Sequence, residues 1–344
     1  MTDAELEKAI ISGATAEEAR PDDALDEGDS AAEVELRRVD VPVEWHGSRL
    51  DRALASLVPE FSRSYLQQLI EAGVVQLNGA VVVKTATKIK AGDDLIVELR
   101  PTPQSQAFVP EVMTLDIVFE DEYLLVINKP AGLVVHPAPG NWRGTLLNGL
   151  LARDPKASLL PRAGIVHRLD KDTSGLMVVA RQRQTMDQLV SLIAARSVSR
   201  EYLAVGHGAW TGAKTLEVDQ PVGRDPRNRL RMAVVDLEKT TGKTAKTVIS
   251  LIDTVERSCL VKCKLHTGRT HQIRVHMAFI GHPLVGDDLY GGMPAGELSR
   301  QGLHAWRLAF EHPMTGQLME FKSPPPADLE EALANLGLIY NERQ

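Results

Sequence analysis

The chain has 344 residues, 43% hydrophobic and 25% charged, with a formal net charge of -7. That length accommodates two domains and a sizeable core, and no apolar run reaches the roughly 18 residues of a spanning helix, so a membrane-embedded protein is excluded in favour of a soluble one. The acid is concentrated at one end: residues 1–40 hold 13 acidic and 4 basic side chains, the remainder 33 and 35, leaving a slightly basic body that permits a nucleic-acid partner.

Residues 1–38 are rich in Ala, Glu and Asp and predict a disordered acidic tail. They lack the basic start and apolar centre of a secretory leader, so a cytoplasmic protein is expected. Residues 39–100 form a compact unit. In SRLDRALASLV, Leu50, Ala53, Leu54 and Leu57 recur at helical spacing, and Pro59 ends the helix. SRSYLQQLIEAG starts at a capping Ser62, carries Leu66, Leu69 and Ile70 on one face and stops at Gly73. VVQLNGAVVV reads as a hairpin around Asn78-Gly79, and AGDDLIVELR as a turn and a last strand. Arg49, Arg52, Arg63, Lys84, Lys88 and Lys90 decorate this small α+β unit.

Residues 101–110 read as a linker. A second domain over 111–326 shows short β-rich runs (LDIVFE, YLLVIN, LMVVA, EYLAVG, TVISLIDTV, CLVKCKL) and few helices, GTLLNGLLAR and QTMDQLVSLIAAR. Strands and helices do not alternate regularly, so a mixed, mostly antiparallel sheet in an α+β fold is expected. Residues 327–344 make a terminal helix and tail. Cys259 and Cys263, spaced CxxxC in a strand-like run, suit neither a metal knuckle nor a redox pair and read as two buried thiols.

Four clusters carry chemistry. NKPAGLVVHP (128–137) reads as strand, Pro-Gly turn, strand. GIVHRLDKDTSGLMVVA (164–180) places Arg168, Asp170, Lys171 and Asp172 at a turn between two apolar runs. SREYLAV (199–205) carries one tyrosine. TGRTHQIRVHM (267–277) holds Arg269, His271, Arg274 and His276 on a strand or helix. A carboxylate among cations is held in its charged form and is able to act as a nucleophile or base. Gly164 and Gly175 would allow sharp turns and the close approach of a large ligand. Asp170 and Asp172 on an extended strand would lie about 6.5–7 Å apart, within the inverting glycosidase range, but neighbouring Arg168 and Lys171 oppose the protonated acid that scheme needs. No HExxH or comparable ligand spacing points to a metal, and neither a phosphate loop nor a dinucleotide motif occurs.

RLD followed by SRSYLQQLIEAGVVQLNG resembles the small RNA-binding domain named for ribosomal protein S-four, in which Arg49, Arg52 and Arg63 would meet RNA phosphates. HRLDKDTSGL and GRTHQIRVH, with PRAGIVHRLD and HPLVGDDLYGG around them, resemble the pseudouridine synthases of the large-subunit ribosomal RNA type, and within them the D-type branch. The resemblance implies a pseudouridine synthase domain that acts without cofactor or metal, as a monomer, on 23S rRNA of the large ribosomal subunit, with the helix 69 stem-loop as the expected target. It implies that Asp170 is the catalytic aspartate, that Arg274 pairs with it, that Tyr202 packs on the target base and that Arg168 enters the gap left by a flipped nucleotide. Arg269 is expected to contact RNA. Three acts remain open to Asp170: attack on the sugar, attack on the base, or removal of a sugar proton. Ile249, Ser250 and His266 depart from residues common in the family. The competing class is a non-catalytic RNA-binding factor of ribosome assembly.

Overall fold

The computed structural model describes residues 35–341 except 60, 62, 100–104, 139, 229 and 230. The expected tail through residue 34 and the capping role of Ser62 lie outside the described residues. The chain divides into two compact units, the first ending at Thr102 and the second starting at Pro103.

The first unit begins with strand β1 (Glu35–Asp40), so residues 35–38, assigned by composition to the tail, are strand instead. Six successive backbone pairs tie it to the last strand of the unit, and an edge strand tolerates the polar side chains that made this stretch look unstructured. Helices α1 (Leu50–Leu57) and α2 (Arg63–Glu71) follow, then β2 (Val75–Leu77), β3 (Ala80–Val81) and β4 (Asp94–Leu99). The sheet order is β1-β4-β2-β3, antiparallel throughout. Leu50, Ala53 and Leu54 of α1 and Leu66, Leu69 and Ile70 of α2 are buried with Val75, Leu95 and Val97, each large side chain contributing about 1.5–3 kcal/mol. Asn78 and Gly79 turn the predicted hairpin at positive φ, 50° and 78°, the geometry that two-residue turns between twisted strands require.

The second unit carries β5 (Ile117–Glu120), β6 (Leu124–Lys129), α3 (Leu146–Arg153), β7 (Ser174–Ala180), α4 (Arg183–Ala194), β8 (Ser199–His207), β9 (Thr215–Asp219), β10 (Val222–Arg224), β11 (Met232–Val234), β12 (Gly242–Lys243), β13 (Lys246–Thr254), β14 (Ser258–Leu265), α5 (Gln272–Phe279), β15 (Leu303–Glu311), β16 (Leu318–Lys322) and α6 (Ala327–Leu336). The large sheet runs β5-β6-β7-β15-β8-β14-β13-β9, with β16 beside β15, and a small sheet runs β11-β10-β12. Among the described residues only β7 and β15 pair in parallel. This is the mixed, mostly antiparallel α+β architecture that the run pattern predicts.

Strand β7 is buried at all seven positions. Met177 and Val179 face a core shared with Leu146, Leu147 and Leu150 of α3. Leu176, Val178 and Ala180 face Leu189 of α4 and Phe310 of β15. Alternate side chains point to opposite faces and both faces are covered, so from Leu176 to Ala180 its sequence is an unbroken apolar run.

Two expected strands do not form. Residues 133–137 make none; the Val134 and Val135 carbonyls instead accept from the Leu146 and Leu147 amides at the start of α3. Before Asp170, only Ile165 forms an isolated bridge, to Val179. The two glycines flanking that region approach their own chain rather than a ligand. A Cβ on Gly164 (φ 81°) would sit 1.9 Å from the Ala180 carbonyl oxygen, and one on Gly175 (φ 114°) 2.3 Å from that of Ala305. Part of the expected linker is packed as well: Ala107 is buried, and its carbonyl and that of Val109 accept from Asn148 Nδ2.

Candidate active site

Asp170 lies in the loop between Ile165 and β7, and its side chain is 16% exposed. Each of the three carbonyls from 170 to 172 is engaged. The Asp170 carbonyl accepts from the Thr173 amide. That of Lys171 accepts from the Gly132 amide and from Lys129 Nζ at 2.8 Å. That of Asp172 accepts from Arg300 Nη1 at 3.0 Å, and Arg300 is itself paired with Asp328 of α6. Gln301 Nε2 donates to the Thr173 hydroxyl. A segment tied at three successive carbonyls holds its carboxylate in one place, the preorganisation that a catalytic group needs.

The NKPAG stretch therefore acts from beneath the loop. Lys129 is 1% exposed and gives its ammonium to the carbonyls of Pro130, Leu133 and Lys171. Burial pulls its pKa down to about 7, against the opposing charges of Asp172 and Asp170. A lysine surrounded by carbonyls is fitted to hold backbone rather than to meet substrate.

Arg274, on α5, bridges two carboxylates. Its Nε and Nη2 donate to Asp287 Oδ2 and Oδ1 at 2.7 and 2.8 Å, and Nη1 donates to Asp170 Oδ2 at 3.1 Å. Asp287 is 1% exposed. Burial works against the guanidinium charge, but the hydrogen bonds and charges of Asp287 and Asp170 outweigh it and raise the Arg274 pKa. The bidentate pair fixes the plane of the fork, and the third nitrogen holds one oxygen of Asp170. The other oxygen, Oδ1, is 3.9 Å from His271 Nε2. His271 sits at φ 56° just ahead of α5, with Nδ1 2.8 Å from the Tyr290 hydroxyl. Its pKa is lowered by burial, which Asp170 opposes. The TGRTHQIRVHM cluster is thus a loop and a helix rather than a strand.

A cavity of about 910 Å³ opens beside this carboxylate. Asp170, Arg274, Tyr202, Arg168 and Arg269 all line it, although they come from separate stretches of sequence. Tyr202, on β8, is 5% exposed, and burial raises its pKa. Arg168 is exposed. Arg269 is steadied by its Nε on the Thr244 carbonyl. His136, His167, Arg162, Arg196 and Arg200 also line the cavity, so its wall is rich in cations. Asp172 does not line it, and of the two carboxylates weighed from the sequence only Asp170 does. Nor do Ile249 and Ser250: Ile249 is fully buried in the core, whereas His266 does face the cavity.

Arg49, Arg52 and Arg63 belong to the first unit. Arg49 and Arg63 both reach the buried Asp51, at 3.0 and 2.6 Å, while remaining about half exposed, and Arg52 is exposed. The hydrogen bond from Arg49 and those from Arg63 and Gln67 lower the Asp51 pKa despite its burial. Asp51, Asp287, Lys129 and Arg300 are absent from the sequence reading. The GDDLYGG and NKPAG motifs were visible, but nothing local marks which of their polar groups is buried. Cys259 and Cys263 are buried free thiols, as expected, and burial raises the pKa of both. Among the described residues no group of three or more His, Cys, Asp or Glu is arranged to hold a metal ion.

Residues 123–279 match the family model described as RNA pseudouridylate synthase, and residues 48–95 match the S4 domain model. The chain is 47% identical to the ribosomal large subunit pseudouridine synthase D of Neisseria meningitidis serogroup A, over 90% of this chain and 84% of that one. It is equally similar to the protein of that name from Xylella fastidiosa, over 90% and 96%. Among solved structures it resembles human RNA pseudouridylate synthase domain containing 1, with TM-score 0.51 and 26% identity over 64% of this chain and 89% of that one.

Proposed function

The chain belongs to the RNA pseudouridylate synthase family and is an isomerase, and on that footing we propose that it converts uridines of 23S rRNA in the large ribosomal subunit, with the helix 69 stem-loop as target and Asp170 as the catalytic carboxylate. The names of its relatives support the ribosomal substrate. The observation that carries the site is the asymmetry of Asp170: Arg274 holds Oδ2, and Oδ1 is left to act beside the cavity.

A uridine stacked in folded RNA must be extruded before its glycosidic bond is accessible, at a few kcal/mol. Arg168 fills the vacated stack and Tyr202 packs against the extruded uracil. Asp170 Oδ1 then meets the nucleoside as nucleophile or base, with Arg274 holding the carboxylate in register. The N1–C1′ bond breaks, the uracil turns, and a C5–C1′ bond forms. C5 gives up its proton and N1 gains one, so atoms and electrons balance within the nucleotide and the isomerisation requires no redox partner. In the first unit, Arg52 and the solvent-facing edges of Arg49 and Arg63 meet RNA phosphates, and Arg269 does so at the cavity. The protein works as a cytoplasmic monomer.

Mapping pseudouridines along 23S rRNA from a strain lacking this protein tests the assignment. Loss confined to the helix 69 loop is expected. Full retention there, with loss at another position, overturns the target.

A further inference from the structure

Arg200 is a buried cation with no acid to answer it. It is 8% exposed, and its Nε is buried without a hydrogen-bond partner. Among the described residues no carboxylate lies within 4.0 Å of it, and none of its side-chain nitrogens makes a hydrogen bond. The adjacent Glu201 is paired with Arg307 at 2.7 Å, and Asp170 and Asp287 are both held by Arg274. Nε is the nitrogen cut off from water, and leaving a buried donor unsatisfied costs stability, while Nη1 and Nη2 are not shut off in this way on the cavity wall. Gly268 makes room for it: a Cβ there would meet Arg200 Nη1 at 2.8 Å.

The position of Arg200 suggests its partner. Arg200 and Tyr202 stand two apart on β8, hence on the same face of the strand, about 6.5–7 Å apart along it, and both line the cavity. That is of the order of the distance from a nucleobase to the phosphate of its own nucleotide. A second donor without an acceptor lies on the same wall. His167 Nε2 accepts from the Val178 amide, which places the imidazole proton on Nδ1, and Nδ1 is buried without a partner.

Building on the reading that an extruded uridine enters this cavity, we propose that Arg200 binds a phosphate adjoining that uridine, the anionic oxygen completing a donor site left unsatisfied in the free protein. A uracil carbonyl is also an oxygen acceptor, but it is neutral and would leave the charge uncompensated.

The test uses the full-length protein and stem-loop RNAs with a single uncharged methylphosphonate linkage 5′ or 3′ to the target uridine. For wild type, one of these linkages should weaken binding by about 10- to 100-fold, the range of a lost charge-assisted hydrogen bond. Arg200→Met should bind the unmodified RNA correspondingly more weakly and be indifferent to that linkage, so the two changes are coupled. Its melting temperature should equal or exceed that of wild type, because a buried unpaired donor, Nε, has been removed. Equal methylphosphonate penalties in wild type and variant overturn the proposal, as does coupling that appears instead with 4-thiouridine at the target, which would assign Arg200 to the base. Should Arg200→Met fail to fold, the wild-type series decides alone: no penalty at either linkage overturns it. Pseudouridine formation by wild type on the unmodified stem-loop separates the two claims. Formation without coupling removes only the role of Arg200, whereas no formation removes the cavity reading and this inference together.

Discussion

The two units each bury an aspartate against arginines, and the two arrangements are mirror images in charge. In the first unit the carboxylate is the hub: Asp51 is fully buried and accepts from Arg49, Arg63 and Gln67, while both guanidiniums stay about half exposed. In the second the guanidinium is the hub: Arg274 is shared by a buried Asp287 and by Asp170 at the cavity. The group with unused bonding capacity differs accordingly. Around Asp51 it is guanidinium N–H facing solvent, suited to phosphates. Around Arg274 it is one carboxylate oxygen facing a cavity, suited to attack or proton removal. The same ingredients offer donors to solvent in one unit and an acceptor oxygen to a cavity in the other, because the shared hub carries the opposite charge in each.

The strongest way to break this comparison is Asp170→Asn. The side chains are nearly isosteric and the loop is held through its backbone, so RNA binding should stay within about tenfold, or ~1.4 kcal/mol, while pseudouridine becomes undetectable by mass mapping. Asp172→Asn makes the same charge change two residues away, off the cavity, and should retain turnover per folded molecule. If Asp172→Asn is the dead variant, the carboxylates have been assigned in the wrong order.

Asp287→Asn sharpens the hub argument. It removes one of two charges from a buried arginine and should lower stability by about 3 kcal/mol, read by denaturant melts. It also frees the fork that orients Asp170, so single-turnover rates on saturating RNA should fall more than affinity does. An unchanged rate in the folded variant would mean that the bridge serves stability alone.

Asp51→Ala should be milder, about 1–2 kcal/mol, because the arginines it releases are already half in water. Its effect should depend on pH with a definite sign. The native Asp51 pKa is depressed, so its contribution is present above the unfolded value near 4 and is lost as pH falls below that toward the folded value. Wild type and Asp51→Ala should therefore differ in the melting of the first unit at pH 7 and converge in strong acid. The smallest effect is expected for Arg52→Gln, which should reduce the slope of log affinity against log salt by about 1 and leave catalysis on bound RNA alone. An unchanged slope would remove Arg52 from the RNA contact.

Much of this molecule is legible along the chain because the decisive signals are local. Helical spacing placed α1 and α2, Asn78-Gly79 placed the hairpin, and the short β-rich runs predicted a mostly antiparallel sheet. The motifs that bring Asp170, Tyr202, Arg168, Arg269 and Arg274 to one cavity are contiguous strings recognisable by their own residues. What folding alone decided is which polar groups lose water, and that depends on partners far away in sequence. Arg274 meets Asp170 across 104 positions, and nothing in GDDLYGG singles out Asp287 as the first of its two acids to be buried. Lys129 looks like any strand-end lysine until three carbonyls close around it. Arg200 looks like any other strand arginine in SREYLAV until β8 takes its place inside the sheet and Gly268 makes room for the guanidinium. Burial turns an ordinary charge into an anchor, a held carboxylate or an unpaired donor, and burial is a property of the assembled layers rather than of any local run of residues.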